Sequence, residues 1–110
     1  MDRRRRASPL GKTVGARIRA LREEAGLTLE KLAYESELGS KGHLSEIERG
    51  LVVPTVTTLK VLADHLGVAV LDLVTFPEQD ARQELVDATR GLSIATVRRV
   101  LKQVRGEQLP

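Results

Sequence analysis

The sequence of 110 residues predicts an all-α fold, with five helices followed by a C-terminal helical extension. Successive segments repeat apolar residues at i, i+3 and i+7, which is the spacing of one helix face. Serine, threonine and glycine stand at the ends of these segments, where helix caps are expected. The sequence shows neither sustained apolar alternation nor an Asn-Gly turn, which are the signals of strands and hairpins.

The first helix is predicted to begin at Lys12, and Gly26 ends it as a left-handed cap would. Its apolar residues lie on one helix face: Val14, Ile18, Leu21 and Ala25. Residues 1–11 lack this periodicity and contain Pro and Gly, so we interpret them as a flexible basic arm.

Positive charge is concentrated in this arm. Residues 1–12 carry five basic side chains and one acidic one, whereas residues 13–76 carry seven basic and nine acidic ones. The arginine run comprises Arg3, Arg4, Arg5 and Arg6. A basic arm on a near-neutral body favours nucleic-acid binding, in which arginine follows the phosphates or enters a narrow minor groove. The alternative is a solvated tail.

Two short helices come next, and the turn between them contains Gly39. Thr28 is the N-cap candidate of the helix at about 28–36, and Ser40 is the candidate for the helix at 41–49. Two short helices joined by a tight turn form the helix-turn-helix layout. In that layout the second helix presents its N-terminal side chains to the major groove of DNA.

The predicted domain ends at residue 76. Thr55 caps a fourth helix, and Val70 to Val74 form a short fifth one. Residues 77–110 form the helical extension, whose last segment repeats apolar residues at intervals of three and four: Ile94, Val97, Leu101 and Val104. This spacing suits a helix-packing seam, and we expect it to dimerise two copies. The alternative is that the extension folds back on its own domain.

The composition excludes several classes of protein. The absence of cysteine excludes a disulfide scaffold, a thiol nucleophile and a cysteine zinc site. The sequence has neither a Gly-rich phosphate loop nor His-Glu-x-x-His spacing, so we expect no enzyme, no cofactor and no metal. Aromatic residues make up 2% of the chain, too few to stack single-stranded nucleic acid. Without an apolar run of ~18 residues or a signal peptide, we expect no membrane contact and a cytoplasmic protein.

A series of short motifs runs through residues 12–74. They are Ile18…Leu21-Arg22, Gly26-Leu27-Thr28, Leu32-Ala33, Leu44-Ser45…Ile47-Glu48-Arg49-Gly50, Pro54-Thr55, Leu59 and Leu62-Ala63…Leu66-Gly67-Val68. In this order they resemble the Cro/phage-repressor type of helix-turn-helix regulator, also called the XRE family. The resemblance implies a five-helix repressor-like domain at 12–76 in a bacterial or phage protein associated with the nucleoid. It further implies a sequence-specific regulator of transcription, which we expect to be a homodimeric repressor that binds double-stranded DNA.

The resemblance also implies roles for individual residues. The helix at 41–49 becomes the recognition helix, with four positions facing base edges: Lys41, Gly42, His43 and Glu46. Lysine and histidine donate to base acceptors, glutamate accepts from cytosine N4, and glycine allows close backbone approach. For Lys41 and His43 the alternative is a polar face that contacts only solvent. Arg22 and Glu48 correspond to a buried ion pair that supports the scaffold.

Phosphate contacts are expected from helix N-termini, hydroxyls and cations. Besides the arginines of the arm, the candidates are Thr28, Ser40, Ser45, Arg49, Thr55 and Thr57. Two features depart from the family pattern. Leu29 stands where the family has glutamine, and the turn at 37–41 is one residue longer, which leaves two registers open for the base-reading residues.

A second hypothesis assigns the chain to a different class of function. Domains of this type also occur in antitoxins and co-regulators whose main role is to bind a protein. The segment at 78–110 would then carry the partner surface. Substitutions at Lys41 and His43 distinguish the two hypotheses, because only DNA reading depends on them.

Overall fold

A computed structural model shows the arrangement of residues 6–38 and 40–108, the last two of these by backbone alone. These residues form seven helices and no strand, which confirms the all-α prediction. The helices are α1 (Pro9–Glu24), α2 (Leu29–Ser36), α3 (Lys41–Glu48), α4 (Val56–Leu66), α5 (Val70–Leu73), α6 (Ala81–Thr89) and α7 (Ile94–Gln108). The chain divides into two compact units on either side of the bond between Phe76 and Pro77.

Side-chain caps explain where the helices begin. In each case a hydroxyl or carboxylate oxygen accepts a hydrogen bond from the amide three residues later, which satisfies an N–H with no partner inside the helix. The caps are Ser8 for α1, Thr28 for α2, Ser40 for α3, Thr55 for α4 and Asp80 for α6, with distances of 2.8 to 3.1 Å. Thr28, Ser40 and Thr55 therefore cap the helices for which the sequence proposed them.

The start of α1 corrects the predicted boundary between arm and helix. The helix begins at Pro9, three residues before the expected start at Lys12, so residues 9–11 do not belong to the arm. Ser8 accepts from the amide of Gly11 at 2.8 Å, and Pro9 occupies the first helical position. Proline is well suited to that position because its missing N–H would have no helical partner anyway.

The first unit packs α1 to α5 around an aliphatic core. Its largest fully buried apolar side chains are Ile18, Leu32, Leu44, Ile47, Leu62 and Leu73. A hydrogen bond of 2.8 Å from Arg17 Nε to the carbonyl of Asp72 joins α1 to α5. Leu29, the first residue of α2, and Leu38, in the turn before α3, are half-buried against the same core. Burial of this apolar surface is the main force that holds α2 and α3 in position.

Glycines allow α1 to approach the C-terminal end of α3 at backbone distance. A β-carbon at Gly15 would overlap the carbonyl oxygens of Ile47 and Glu48. Gly50 has φ +79°, and a β-carbon there would lie 2.6 Å from the amide nitrogen of Lys12. Both positions therefore require glycine, and together they fix α3 against α1.

The second unit is a pair of helices, α6 and α7. The Ser93 hydroxyl accepts from the Thr96 amide at 3.1 Å and caps α7. None of the described side chains in this unit is fully buried, in contrast to the first unit. Its aliphatic side chains instead line an open groove of about 320 Å³, formed by Leu85, Val86, Val97, Val100, Leu101 and Val104 with Thr89.

Candidate nucleic-acid interface

The turn between α2 and α3 contains four residues, 37–40. Glu37 closes α2 in the left-handed conformation, with φ 56°, where glycine is the usual residue. Leu38 then packs on the core, and Ser40 caps α3, while Gly39 lies outside the described residues. The recognition-helix candidate therefore starts at Lys41, one residue after its cap.

The orientation of α3 follows from its two apolar residues. Leu44 and Ile47 are buried in the core, with relative exposures of 0% and 1%. Lys41 and Gly42 in the first turn are consequently exposed, and His43 and Glu46 are half-exposed. These four candidate base-reading residues therefore keep surface available to a ligand.

Gly42 leaves the first turn of α3 open. A β-carbon at this position would meet only the Ser40 hydroxyl, at 3.7 Å, among the described atoms. The fold therefore does not require glycine here, in contrast to Gly15 and Gly50. A bare backbone at this point can approach another surface more closely than any side chain would allow.

Lys41 forms an ion pair that was not predicted from the sequence. Its ammonium group lies 3.7 Å from Oε2 of Glu30, in the first turn of α2. Both side chains are more than half exposed. The only signal in the sequence was the opposite charge of two residues that begin neighbouring helices, and their proximity depends on the fold.

The candidate phosphate contacts lie in different environments. Arg49, Thr57 and Arg6 are exposed, and Ser45 is half-buried. Three candidates are exposed residues whose hydroxyls cap helices, and each hydroxyl accepts a hydrogen bond from a backbone amide: Thr28, Ser40 and Thr55. The Thr55 hydroxyl also donates to the Thr58 hydroxyl at 3.1 Å. Arg3, Arg4 and Arg5 lie outside the described residues.

Arg22 and Glu48 form the buried ion pair between α1 and α3. Nε of Arg22 lies 2.7 Å from Oε2 of Glu48, and Nη2 lies 3.1 Å from Oε1. The third nitrogen, Nη1, donates to the carbonyl of Leu27 at 2.7 Å. The side chains are only 10% and 5% exposed. The hydrogen bond that Arg22 donates to Glu48 raises the pKa of Arg22 above its ordinary value, and the guanidinium is charged at every physiological pH.

The proposed dimerisation seam lies partly in the groove of the second unit. Val97, Leu101 and Val104 line it, whereas Ile94 is 67% exposed and is not among the lining residues. The groove also includes Val100 on the same helix and Leu85 and Val86 on α6, which were not predicted to belong to the seam. The wall from α6 was missed because pairing of α6 with α7 cannot be inferred from the spacing within α7.

In the part of the chain that the structure describes, acidic side chains and histidines form no cluster of three that could hold a metal ion. The helices of that part are all too short or too polar to cross a membrane.

Comparison with known proteins gives a consistent result. The helix-turn-helix domain family matches residues 13–75, which is more than half of the chain. The uncharacterized HTH-type transcriptional regulator y4dJ of Sinorhizobium fredii is 47% identical over 64 residues, or 58% of this chain and 82% of that protein. The immunity repressor protein of Bacillus phage phi105 is 42% identical over 62 residues, or 56% of this chain. This match spans only 42% of the phage protein.

A solved structure extends the similarity beyond the matched domain. The SinR protein/SinI protein complex contains a chain with 28% sequence identity and a TM-score of 0.61. The similarity covers 86% of this chain and 97% of that one. It therefore includes part of the C-terminal unit, which the family match does not reach.

Proposed function

We propose that this chain, which belongs to the helix-turn-helix domain family of DNA-binding transcriptional regulators, is a repressor that reads the major groove with α3. One observation carries the proposal. The buried residues Leu44, Ile47 and Glu48 seat α3 on α1 and the core, and its opposite face remains available to DNA. As a regulator of this family, the protein is not an enzyme.

The chemistry of the available face suits base reading. Lys41 donates to guanine O6 or N7, and His43 donates to an acceptor on a neighbouring base. Glu46, one turn later, accepts from the amino group of cytosine. Gly42 allows the backbone of the first turn to approach the bases. The protein would thus distinguish G·C from A·T pairs within its half-site.

Phosphate contacts would hold the helix in register. The candidates for these contacts lie at the starts of α2, α3 and α4 and in or just after α3, and all but the half-buried Ser45 are exposed: Thr28, Ser40, Ser45, Arg49, Thr55 and Thr57. The basic arm, from Arg3 to Arg6, would add contacts to the backbone or the minor groove. The arm precedes Ser8, and Gly11, three residues later, packs closely against the chain just after α3. A β-carbon at Gly11 would lie 2.9 Å from the carbonyl oxygen of Gly50.

We infer that the protein acts as a homodimer through the groove of the second unit. The unit buries none of its described side chains fully, and Leu85, Leu101 and Val104 are 57%, 43% and 43% exposed. The second unit of another copy would cover these aliphatic side chains by a two-fold contact. Two-fold symmetry also matches the paired half-sites, about one DNA turn apart, that helix-turn-helix dimers bind.

A different protein is the second candidate for this groove. The observation that favours it is the similarity to a chain of the SinR protein/SinI protein complex, a structure that by name holds two proteins. Because the relatives are bacterial and phage proteins, we propose that the regulator binds DNA in the bacterial cytoplasm. The antitoxin and co-regulator hypotheses have no support from the named relatives, which are regulators and a repressor.

Selection of bound fragments from random duplex DNA tests the proposal. The protein is expected to enrich a two-fold related motif at near-physiological salt. The Lys41→Ala/His43→Ala variant should lose the base preference in each half-site. Lys31→Ala removes an exposed lysine of α2 that is paired with Glu35, and should retain the motif. Enrichment of the same motif by the double variant would refute base reading by α3.

A further inference from the structure

We propose that Glu30 determines sequence specificity by positioning Lys41. This inference rests on the proposed function, since it concerns how the DNA-reading face is arranged. Glu30 was not among the residues that the sequence or the family resemblance pointed to. The structure places it beside the first residue of α3.

The local structure at the start of α2 explains why Glu30 holds this position. Leu29, the first residue of α2, is half-buried against the core and has no polar group to offer DNA. Glu30 follows it on the exposed surface. From there its carboxylate approaches the ammonium group of Lys41 to 3.7 Å, so the pair links the first turns of α2 and α3.

Stability does not account for this pair. The side chains of Lys41 and Glu30 are 57% and 69% exposed, and ion pairs so exposed to water and salt contribute little to folding. The joint between α1 and α3 is instead held by Arg22 and Glu48, which are buried. The Glu30–Lys41 pair therefore has its main effect on the orientation of Lys41.

Orientation matters because lysine is a point charge on a flexible stem. Without a partner, the Lys41 ammonium would be drawn to the nearest phosphate whatever the sequence. At 3.7 Å the Glu30 carboxylate attracts the ammonium group without accepting a hydrogen bond, so the N–H donors of Lys41 remain for guanine O6 and N7. Glu30 thus favours a base contact over a phosphate contact.

The Glu30 carboxylate also repels phosphates, whatever the sequence of the DNA. Where a G·C pair lies within reach of Lys41, the base contact that Glu30 favours offsets this repulsion, and at other sequences nothing offsets it. Specificity arises from both effects because it is a difference of affinities.

A pair of charge-neutralising variants tests the inference in the full chain. Glu30→Gln removes the carboxylate that faces Lys41. Glu35→Gln, the matched control, removes the same charge from the same helix and breaks an ion pair of 3.9 Å with Lys31. The measurement is the affinity for the selected site, for the same site with each base pair exchanged in turn, and for unrelated DNA, at one salt concentration.

In Glu30→Gln, the ratio of affinities for the selected base pair and its exchanged form is expected to fall about tenfold at one position. The variant should also bind unrelated DNA more tightly. Glu35→Gln should change the affinity for all these DNAs by a similar factor. In a Lys41→Ala background, Glu30→Gln should cause no further loss of preference at that base pair. This last result separates an action through Lys41 from a merely structural effect.

The outcomes separate the inference from the proposed function. If the unmodified protein shows no base preference, the proposed function fails and this inference fails with it. If the unmodified protein selects a site and Glu30→Gln keeps the full preference, only the inference is overturned. A loss of preference that persists in the Lys41→Ala background overturns the positioning role.

Discussion

Arg22 of α1 holds Glu48 of α3 by two parallel hydrogen bonds, 2.7 Å from Nε to Oε2 and 3.1 Å from Nη2 to Oε1. This fork geometry is specific to arginine and a carboxylate. It is completed by the bond from Nη1 to the carbonyl of Leu27, just before the cap of α2. One guanidinium therefore joins α1, the start of the helix-turn-helix and the end of α3.

Removal of Glu48 should destabilise the first unit strongly. Glu48→Ala leaves the guanidinium of Arg22 buried without its carboxylate, which is expected to cost about 3–5 kcal/mol in the free energy of unfolding. Urea unfolding followed by helical circular dichroism measures the change. Glu23→Ala breaks the exposed pair with Arg19 and should change stability by less than ~1 kcal/mol. Equal effects of the two substitutions would contradict the role of the buried pair.

A methyl group at Gly15 should separate α1 from α3. The β-carbon of Gly15→Ala would overlap the carbonyls of Ile47 and Glu48, and the repacking should cost about 1–3 kcal/mol. This would occur although alanine favours the helical state by ~1 kcal/mol. Gly42→Ala in α3 meets only the Ser40 hydroxyl at 3.7 Å and should be neutral or stabilising. Thermal unfolding of both variants is the measurement. A Gly15→Ala variant as stable as the unmodified protein would show that α1 and α3 have room for a methyl group.

A charge in the groove of the second unit should weaken the proposed dimer. Leu101→Glu places a carboxylate among aliphatic side chains, and we expect the dissociation constant of the dimer to rise at least ~100-fold. Leu92→Glu is the matched control, because Leu92 has the same 43% exposure but does not line the groove. Sedimentation equilibrium compares the two variants. A dimeric Leu101→Glu variant would place the dimer contact elsewhere.

Removal of the basic arm should change the salt dependence of DNA binding. Deletion of residues 1–7 keeps the Ser8 cap and should lower the slope of log affinity against log salt by ~0.9 for each phosphate that the arm neutralises. Deletion of residues 1–11 should in addition destabilise α1, because it removes Ser8 and Gly11. Filter binding over a range of salt concentrations provides the slopes. An unchanged slope after the shorter deletion would identify the arm as a tail that does not bind DNA.

Acid should loosen the start of α6. Hydrogen bonds from the backbone amide and side chain of Gln83 hold the pKa of Asp80 below its ordinary value. The cap is therefore fully effective above about pH 4 and is lost as the pH falls through the lowered pKa of the folded state. Amide chemical shifts of Gln83 and Glu84 measure this transition. Asp80→Asn keeps a capping oxygen and should remove the transition, so its persistence in that variant would exclude Asp80 as the cause.

Local signals were sufficient to predict most of the fold. Thr28, Ser40 and Thr55 act on amides three residues away, so their role can be inferred from a short stretch of sequence. Ser8 and Pro9 carry the same kind of signal, but residues 1–11 lack apolar periodicity and contain Pro and Gly, which favoured a flexible arm. The position of Glu37 in the left-handed region was also hidden, since nothing in its residue type indicates that conformation.

The features that the sequence could not supply depend on contacts between helices. Gly15 lies within a helical pattern, where glycine is a poor helix former, so the sequence gives no reason for it. The reason is the contact with α3, which leaves no space for a β-carbon. The approach of Glu30 to Lys41 depends on the path of the turn between two helices. Likewise, the wall of the groove formed by Leu85 and Val86 depends on the pairing of α6 with α7.

In α3, the residues that anchor the helix differ from those that face outward. Leu44, Ile47 and Glu48 anchor it, and the outward positions at 41–43 and 46 make no contribution to the buried core. Substitutions at the outward positions therefore change the chemistry of the surface and leave the anchoring contacts in place. If these positions read DNA as proposed, a lineage that carries this fold can acquire a new target site one residue at a time while Leu44, Ile47 and Glu48 keep α3 in place.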